Sequence, residues 1–230
     1  MFTMWDTTSA AVIIGAYFIG AVPSAYITAR FASGIDIRSH GSGNIGVSNI
    51  FRQGGFWLAA PVVLYDVIIK GAVPIIIASD KVLDLGLDVE VTAAFAAIMG
   101  HHWSAFVKFR GGRGMAAVMG AMVTLSWPLP FLYALPALFG FLRKGDSAIW
   151  WALAALILPI WTLILGLEKE ITWFTIAFLA AIIAKRLLSN RKMGSESDLP
   201  DIPFGELIRN RLLYDRDISN RQEWIDRTPK

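Results

Sequence analysis

Long apolar stretches separated by short polar loops dominate the chain. Three stretches contain no Asp, Glu, Lys or Arg: residues 7–29, 114–142 and 147–167. They are 23, 29 and 21 residues long, which is enough to cross the roughly 30 Å hydrocarbon core of a bilayer as helices. Three more apolar stretches carry a few ionisable residues: 56–79, 89–107 and 171–188. The pattern predicts an all-α, polytopic integral membrane protein.

The stretch 114–142 decides how many helices cross the membrane. It is long for one helix, and Pro128 and Pro130 near its middle favour a hairpin of two short helices. A hairpin gives about seven transmembrane helices, with the N-terminus outside and the C-terminus cytoplasmic. The inside loops then hold eight Lys and Arg residues before the tail, and the outside loops hold two, Lys81 and Lys169. This bias follows the positive-inside rule, whereas a single helix would move the basic tail outside.

Composition excludes several classes of protein. Only 17% of residues are charged and 55% are hydrophobic, so a soluble enzyme, a disordered chain and a disulfide scaffold are all excluded. Cysteine is absent, which excludes a thiol nucleophile and a thiolate metal site. The three histidines and the net charge of +3 indicate neither a metal site nor nucleic-acid binding.

The composition changes abruptly near residue 190. We therefore expect a transmembrane domain over 1–190 and a charged cytoplasmic tail over 191–230. The simplest interpretation of the tail is a solvated segment. The alternative is that Phe204–Tyr214 forms a short amphipathic helix on the cytoplasmic membrane surface.

The first candidate for chemistry is GSGNIGVSN, residues 41–49, in a predicted inside loop. Closely spaced glycines let backbone N–H groups converge on an anion, and hydroxyl and amide side chains add donors. The alternative is a flexible polar loop, or glycines that let helices approach closely. The predicted phosphate-binding residues here are Arg38, Gly41, Ser42, Gly43, Asn44, Gly46, Ser48, Asn49 and Arg52.

The second candidate is the inside loop that follows residue 100. Its cations surround two adjacent glycines, and its candidate site residues are His101, Lys108, Gly111, Gly112 and Arg113. A histidine titrates near neutral pH, so His101 is a candidate general base or phosphate donor. The alternatives are a hydrogen-bonded histidine at the membrane interface and cations that reflect topology alone. The two loops together predict one cytoplasmic site for phosphate-bearing ligands.

These motifs resemble those of the acyl-phosphate-dependent glycerol-3-phosphate acyltransferases of bacterial phospholipid synthesis. The family's D-I-R-x-x-G-S-G-N-x-G-A-T-N-x-x-R aligns with residues 36–52, and its G-H-x-x-P-V-F-x-x-F-x-G-G-K-G-V-A aligns with residues 100–116, where Arg113 replaces Lys. The third motif, H-x-x-N-I-x-R-L-x-x-G-x-E, is incomplete. Aligning Arg186 places Ala180 at its His and Ile183 at its Asn.

The resemblance implies acyl transfer from acyl phosphate to the sn-1 hydroxyl of glycerol 3-phosphate, giving lysophosphatidic acid and phosphate without metal or cofactor. It implies an enzyme of the bacterial inner membrane with its site facing the cytoplasm. Its functional partner would be an acyl-ACP:phosphate acyltransferase. His101, Arg113 and Ser42 are the predicted catalytic residues, and the other loop residues named above would bind substrate. The base is either His101 or a phosphate oxygen of the donor.

Two other interpretations remain open at this stage. The altered third motif favours a family member that acts on another phosphorylated acceptor, or that binds acyl phosphate without turnover. A small transporter is the second, but only Asp66 and Lys70 lie near mid-membrane, and their spacing of four residues favours a structural pair. The chain also lacks the repeat symmetry expected of a transporter.

Overall fold

The computed structural model describes residues 6–143, 147–188 and 202–226, and these residues form helices and loops without strands. The α-helices in chain order are α1 (Thr7–Ala21), α2 (Ser24–Ser33), α3 (Val47–Leu64), α4 (Val73–Ala78), α5 (Leu87–His102), α6 (Met115–Leu125), α7 (Pro128–Leu142), α8 (Ser147–Ile164), α9 (Lys169–Leu188), α10 (Phe204–Tyr214) and α11 (Arg221–Asp226).

The helical stretches 7–33 and 47–78 are each interrupted where the sequence disfavours a regular helix. Pro23 lies at the break between α1 and α2, where its ring cannot continue the preceding helix. Gly55 interrupts α3 with a φ of 68°, a conformation that side chains with a Cβ rarely adopt. A π-helix over Tyr65–Ala72 then joins α3 to α4.

Four helical stretches in the described chain are long and apolar enough to cross a membrane: 7–33, 47–78, 147–164 and 169–188. The all-helical membrane architecture predicted from the apolar stretches is therefore confirmed. The predicted hairpin is also confirmed as two helices, because α6 ends at Leu125 and α7 begins at Pro128. A proline fits the first position of a helix, where its missing N–H has no intrahelical acceptor. The count of seven crossings and the orientation of the termini stay predictions.

Glycines set the closest helix contacts of the bundle. A Cβ on Gly20 would collide with the Ala97 carbonyl, and one on Gly100 would collide with the Tyr17 carbonyl. Helices α1 and α5 therefore pack backbone to backbone. Gly71 and Gly120 likewise allow the π-helix and α6 to pack backbone to backbone. Small residues are favoured at such contacts in membranes, where van der Waals packing holds helices together.

The C-terminal segment packs against the bundle. Helix α10 spans Phe204–Tyr214, the range of the alternative interpretation of the tail, and it contacts α8 and α9. Arg186 of α9 donates a hydrogen bond to the Leu212 carbonyl at 2.6 Å, and Arg211 donates to the Leu187 carbonyl at 2.8 Å. The solvated-tail interpretation is therefore wrong for the described part of the segment. Residues 189–201 and 227–230 of the predicted tail lie outside the described residues.

Candidate active site

The two glycine-rich loops meet in space. A Cβ added to Gly46 of the first loop would lie 4.0 Å from the Cα of Gly112 in the second. A Cβ on Gly112 would lie 2.8 Å from the Ile45 carbonyl oxygen, closer than real Cβ contacts. Only glycine at position 112 permits this approach.

An ion pair closes the start of the first loop. The Arg38 guanidinium donates to both carboxylate oxygens of Asp36, at 2.9 Å from Nε and 2.6 Å from Nη2. It also lies 4.8 Å from the centre of the Tyr26 ring, within range of a cation–π contact. The hydrogen bonds from Arg38 hold the pKa of the Asp36 carboxyl below its ordinary value of 3.8. The predicted phosphate clamp Arg38 is thus paired with a carboxylate.

Asn49 holds the first loop from inside. Its side chain is buried, and its Nδ2 lies within 3.2 Å of three backbone carbonyl oxygens, those of Ile37, His40 and Asn44. Its Oδ1 occupies the space where a Cβ on Gly41 would lie. Asn49 therefore acts through the shape of the loop, which it ties to the start of α3.

The rest of the first loop leads into the N-terminus of α3. Gly41 and Gly43 adopt positive φ angles, and Gly46 is the residue before the helix. Ser42 and Asn44 are half-buried, whereas Ser48 and Arg52 are exposed on the first two turns of α3. The first N–H groups of a helix lack intrahelical acceptors, so this end favours an anion.

Two buried histidines hold the second loop against the end of α5. His101 accepts a hydrogen bond at its carbonyl oxygen from the Gly112 N–H at 3.1 Å. The His102 ring lies 3.1 Å from the Arg113 carbonyl oxygen, and Gly114, with a φ of 70°, leaves room for that ring. Lys108 lies at the exposed tip of the loop with a φ of 56°.

Arg113 faces the C-terminal segment. Its Nε lies 2.5 Å from an Asp215 carboxylate oxygen, and both side chains are largely buried. Lys185 of α9 lies nearby and donates to the His102 carbonyl. The second loop is therefore held between α9 and the residue that follows α10.

A small pocket lies between the loops. It is lined by residues 20–24 at the break between α1 and α2, by Ile45, by Lys70 and His101, and by residues 110–112. Of the predicted site residues, His101, Gly111 and Gly112 line it. The other predicted residues lie outside its lining: Arg38, Gly41, Ser42, Gly43, Asn44, Gly46, Ser48, Asn49, Arg52, Lys108 and Arg113.

A network of buried polar side chains forms the inner wall of this pocket. Lys70 lies 2.7 Å from Asp66 Oδ1, 3.1 Å from Ser24 Oγ and 3.2 Å from His101 Nδ1. Ser24 also donates to Asp66 at 2.7 Å. The predicted pairing of Asp66 with Lys70 is confirmed, and Lys70 also lines the pocket.

Sequence reasoning did not assign Ser24, Asp66, Lys70, Lys185 or Asp215 to the site. Asp66 and Lys70 did carry a signal, because ionisable residues inside an apolar segment mark functional sites more often than not. Ser24 and Asp215 carried none, since each reaches its partner only through the packing of distant helices.

The inward face of α9 explains the incomplete third motif. Ala180 and Ile183, which align with the family's His and Asn, are both exposed on the outer side of the helix. Lys185 and Arg186 are buried on the inner side. Lys185 therefore joins α9 to the second loop through the His102 carbonyl, and Arg186 joins it to the C-terminal segment through the Leu212 carbonyl.

Comparison with known proteins agrees with these motifs. The family model described as glycerol-3-phosphate acyltransferase matches residues 10–193. "Glycerol-3-phosphate acyltransferase 4" of Dehalococcoides mccartyi strain CBDB1 is 34% identical over 219 residues, covering 92% of this chain and 90% of that protein. "Glycerol-3-phosphate acyltransferase" of Endomicrobium trichonymphae is 35% identical over 189 residues, covering 81% and 92%.

A solved structure has the same fold. The glycerol 3-phosphate form of PlsY (YgiH), an integral membrane glycerol 3-phosphate acyltransferase, superposes with a TM-score of 0.70 and 26% identity, covering 83% of this chain and 96% of that one. With the fold, both loops and a family model spanning most of the sequence in agreement, the chain belongs to the glycerol-3-phosphate acyltransferase family.

Proposed function

We propose that the protein transfers an acyl chain from acyl phosphate to the sn-1 hydroxyl of glycerol 3-phosphate, releasing lysophosphatidic acid and inorganic phosphate. The observation that carries this proposal is the contact of the two glycine-rich loops, Gly46 against Gly112, beside a pocket whose lining includes the cations Lys70 and Arg110. Both substrates are phosphorylated, and one is an amphiphile that reaches the site from the bilayer. No metal or cofactor takes part in the proposed reaction.

Each loop binds one phosphate in this proposal. The N-terminus of α3, with Ser42, Asn44, Ser48 and Arg52, binds the first. Arg113 and Lys108 of the second loop neutralise the other and the charge that develops as the acyl–phosphate bond breaks. Fixed donors of this kind contribute roughly 2–4 kcal/mol each to transition-state stabilisation.

In the transfer step the sn-1 hydroxyl oxygen bonds to the acyl carbon as the bond from that carbon to the phosphate oxygen breaks. The hydroxyl proton passes to a base, and the phosphate leaves. No covalent acyl-enzyme is required, which is consistent with a sequence that has no cysteine.

The decisive experiment is mass-spectrometric product analysis with purified protein, acyl phosphate and glycerol 3-phosphate. Replacement of Arg52 or Arg113 by Ala should lower turnover by about 10²–10³-fold. Arg209→Ala is the matched control, because Arg209 is exposed on α10 and pairs with Glu206. Full turnover in Arg52→Ala and Arg113→Ala would refute the assignment.

One observation favours a second candidate function. The third motif keeps its Arg as Arg186 but has Ala180 and Ile183 in place of its His and Asn, so the acceptor could be another polyol phosphate. The same assay with a panel of polyol phosphates distinguishes the two. Binding of acyl phosphate without any product would instead indicate a non-catalytic member.

We also propose seven membrane crossings, with the N-terminus outside and the site facing the cytoplasm of a bacterial inner membrane. The natural absence of cysteine allows a direct test with single cysteines and a membrane-impermeant maleimide. Ser39→Cys in the first loop should label only after the membrane is opened. Val82→Cys, which is exposed between α4 and α5, should label from outside in intact cells.

A further inference from the structure

His101 lines the pocket and belongs to a chain of buried polar groups that joins three elements. Ser24 begins α2, Asp66 and Lys70 lie on the π-helix, and His101 lies on the last turn of α5. All four side chains are at least nine-tenths buried. An unsatisfied polar group at this depth is costly, so each member must use its hydrogen-bonding capacity within the chain.

The three hydrogens of the Lys70 ammonium account for its three neighbours. An ammonium group has three donors and no acceptor. Lys70 Nζ lies 2.7 Å from Asp66 Oδ1, 3.1 Å from Ser24 Oγ and 3.2 Å from His101 Nδ1. Because the ammonium can only donate, His101 Nδ1 is the acceptor and carries no hydrogen.

Asp66 does not offer His101 a competing contact. Its Oδ2 lies 3.8 Å from Nδ1, beyond hydrogen-bond distance. Its Oδ1 instead accepts from both Ser24 and Lys70. Asp66 and Ser24 therefore hold Lys70 in the orientation that keeps an N–H directed at the imidazole.

A neutral imidazole with an unprotonated Nδ1 has its hydrogen on Nε2. Nε2 lies on the loop side of the ring, where a Cβ on Gly112 would collide with it. Gly112 lines the pocket together with His101. The nitrogen beside the second loop is therefore the one that donates.

We infer that Ser24, Asp66 and Lys70 are positioning residues that fix His101 as its Nε2–H tautomer, so that the imidazole donates a hydrogen bond to a phosphorylated substrate in the pocket. The identity of that substrate rests on the proposed function, whereas the tautomer does not. His101 then stabilises negative charge on the substrate, and it cannot accept the proton of the attacking hydroxyl at Nε2.

The tautomer of His101 can be measured without an activity assay. Protein labelled with ¹⁵N-histidine and observed by long-range ¹H–¹⁵N correlation gives the protonated nitrogen of each of the three histidines, and loss of one signal set in His101→Gln assigns His101. We expect Nε2 protonated in the wild type. In Lys70→Met, and more weakly in Ser24→Ala, the signals should move toward a mixture of tautomers. A wild-type Nδ1–H tautomer, or no change in either folded variant, would overturn the inference.

Measurements of turnover distinguish a hydrogen-bond donor from a general base at His101. The amide nitrogen of glutamine can occupy the place of Nε2 and donate, but it cannot accept a proton. We expect His101→Gln to retain kcat within about tenfold of wild type and His101→Ala to lose about 10²–10³-fold, the cost of removing one such donor. Equal losses in both variants would contradict the donor role. Absence of turnover in the wild type would refute the proposed function and leave the tautomer measurement valid.

Discussion

The two loops that meet at the pocket are held in place in different ways. The first loop is organised by contacts within its own stretch of sequence. Arg38 pairs with Asp36 two residues before it, and Asn49 reaches back twelve residues to Ile37. These contacts would survive if the remainder of the bundle shifted.

The second loop is organised by distant parts of the chain. Ser104 donates to the Ala21 carbonyl, 83 residues away, and the Tyr17 hydroxyl donates to the Trp103 carbonyl, 86 residues away. Arg113 pairs with Asp215, 102 residues away. The second loop therefore has its shape only when α1, α5 and the C-terminal segment are assembled, so disturbances elsewhere in the bundle should affect it first.

The largest expected effect lies where the loops touch. In Gly112→Ala the new methyl group would collide with the His101 ring and approach the Ile45 carbonyl to 2.8 Å. A shift of about 1 Å in a catalytic group costs about 100-fold in rate, so kcat/KM should fall by about 100-fold. Gly15→Ala, where a Cβ meets open space, is the control. An unchanged kcat/KM in Gly112→Ala would mean that the loops do not need this contact.

The second-largest expected effect is a loss of stability when the Asn49 side chain at the centre of the first loop is removed. Asn49→Ala leaves three backbone carbonyls without their shared donor, and an orphaned buried group costs about 1–3 kcal/mol. We expect a loss of about 2 kcal/mol, measured as a lowered Tm in detergent. Ser39→Ala removes an exposed hydrogen bond in the same loop and should change Tm little. Similar shifts in both variants would argue against Asn49 as the loop's anchor.

A smaller effect should follow at the contact between the second loop and the C-terminal segment. Asp215 pairs with Arg113, so in the proposed function its carboxylate competes with phosphate for that guanidinium. Asp215→Asn removes that charge, so KM for the phosphorylated substrates should fall about threefold, which corresponds to about 0.7 kcal/mol. Glu206→Gln is the control. A raised KM or lowered kcat would show instead that Asp215 holds Arg113 in its working position.

The smallest expected effect is the pH dependence of the first loop. Arg38 lowers the pKa of Asp36 below 3.8, so the pair stabilises the folded state above that pH and stops doing so as the pH falls through the lowered pKa. Asp36→Asn should cost a few tenths of a kcal/mol near neutral pH. Its Tm should converge on that of the wild type as the pH falls below 3.8. A constant difference at all pH values would exclude the ion pair as its cause.

The contrast between a loop held by local contacts and a loop held by distant ones also explains which features could be predicted from the sequence. The helices, the break at Pro128 and helix α10 follow from hydropathy and local backbone preferences, which a short window of sequence contains. The glycines and polar side chains of the first loop likewise predict an anion site from local chemistry alone, and that site stays a prediction.

The other features of the site depend on pairs of residues that lie too far apart in the sequence for any short window to contain both. Lys70 contacts His101 across 31 residues, and Arg113 meets a carboxylate that lies beyond the region matched by the family model. The sequence indicated Lys70 as a structural partner of Asp66, but its contact with the imidazole depends on how α5 packs against the π-helix. The fold of the C-terminal segment beside Arg113 was missed for the same reason.

The π-helix over Tyr65–Ala72 has a consequence for how such a protein tolerates insertions and deletions. A π-turn accommodates one more residue than an α-turn, and such turns recur at functional sites. The wide turn absorbs its extra residue locally, so α3 and α4 on either side keep the rotation they would have without it. The extra residue instead changes which way the side chains inside the turn face, and Asp66 and Lys70 both lie there. Deletion of one residue from this turn would therefore leave the flanking helices in place and break the contacts that join Lys70 to Asp66, Ser24 and the imidazole.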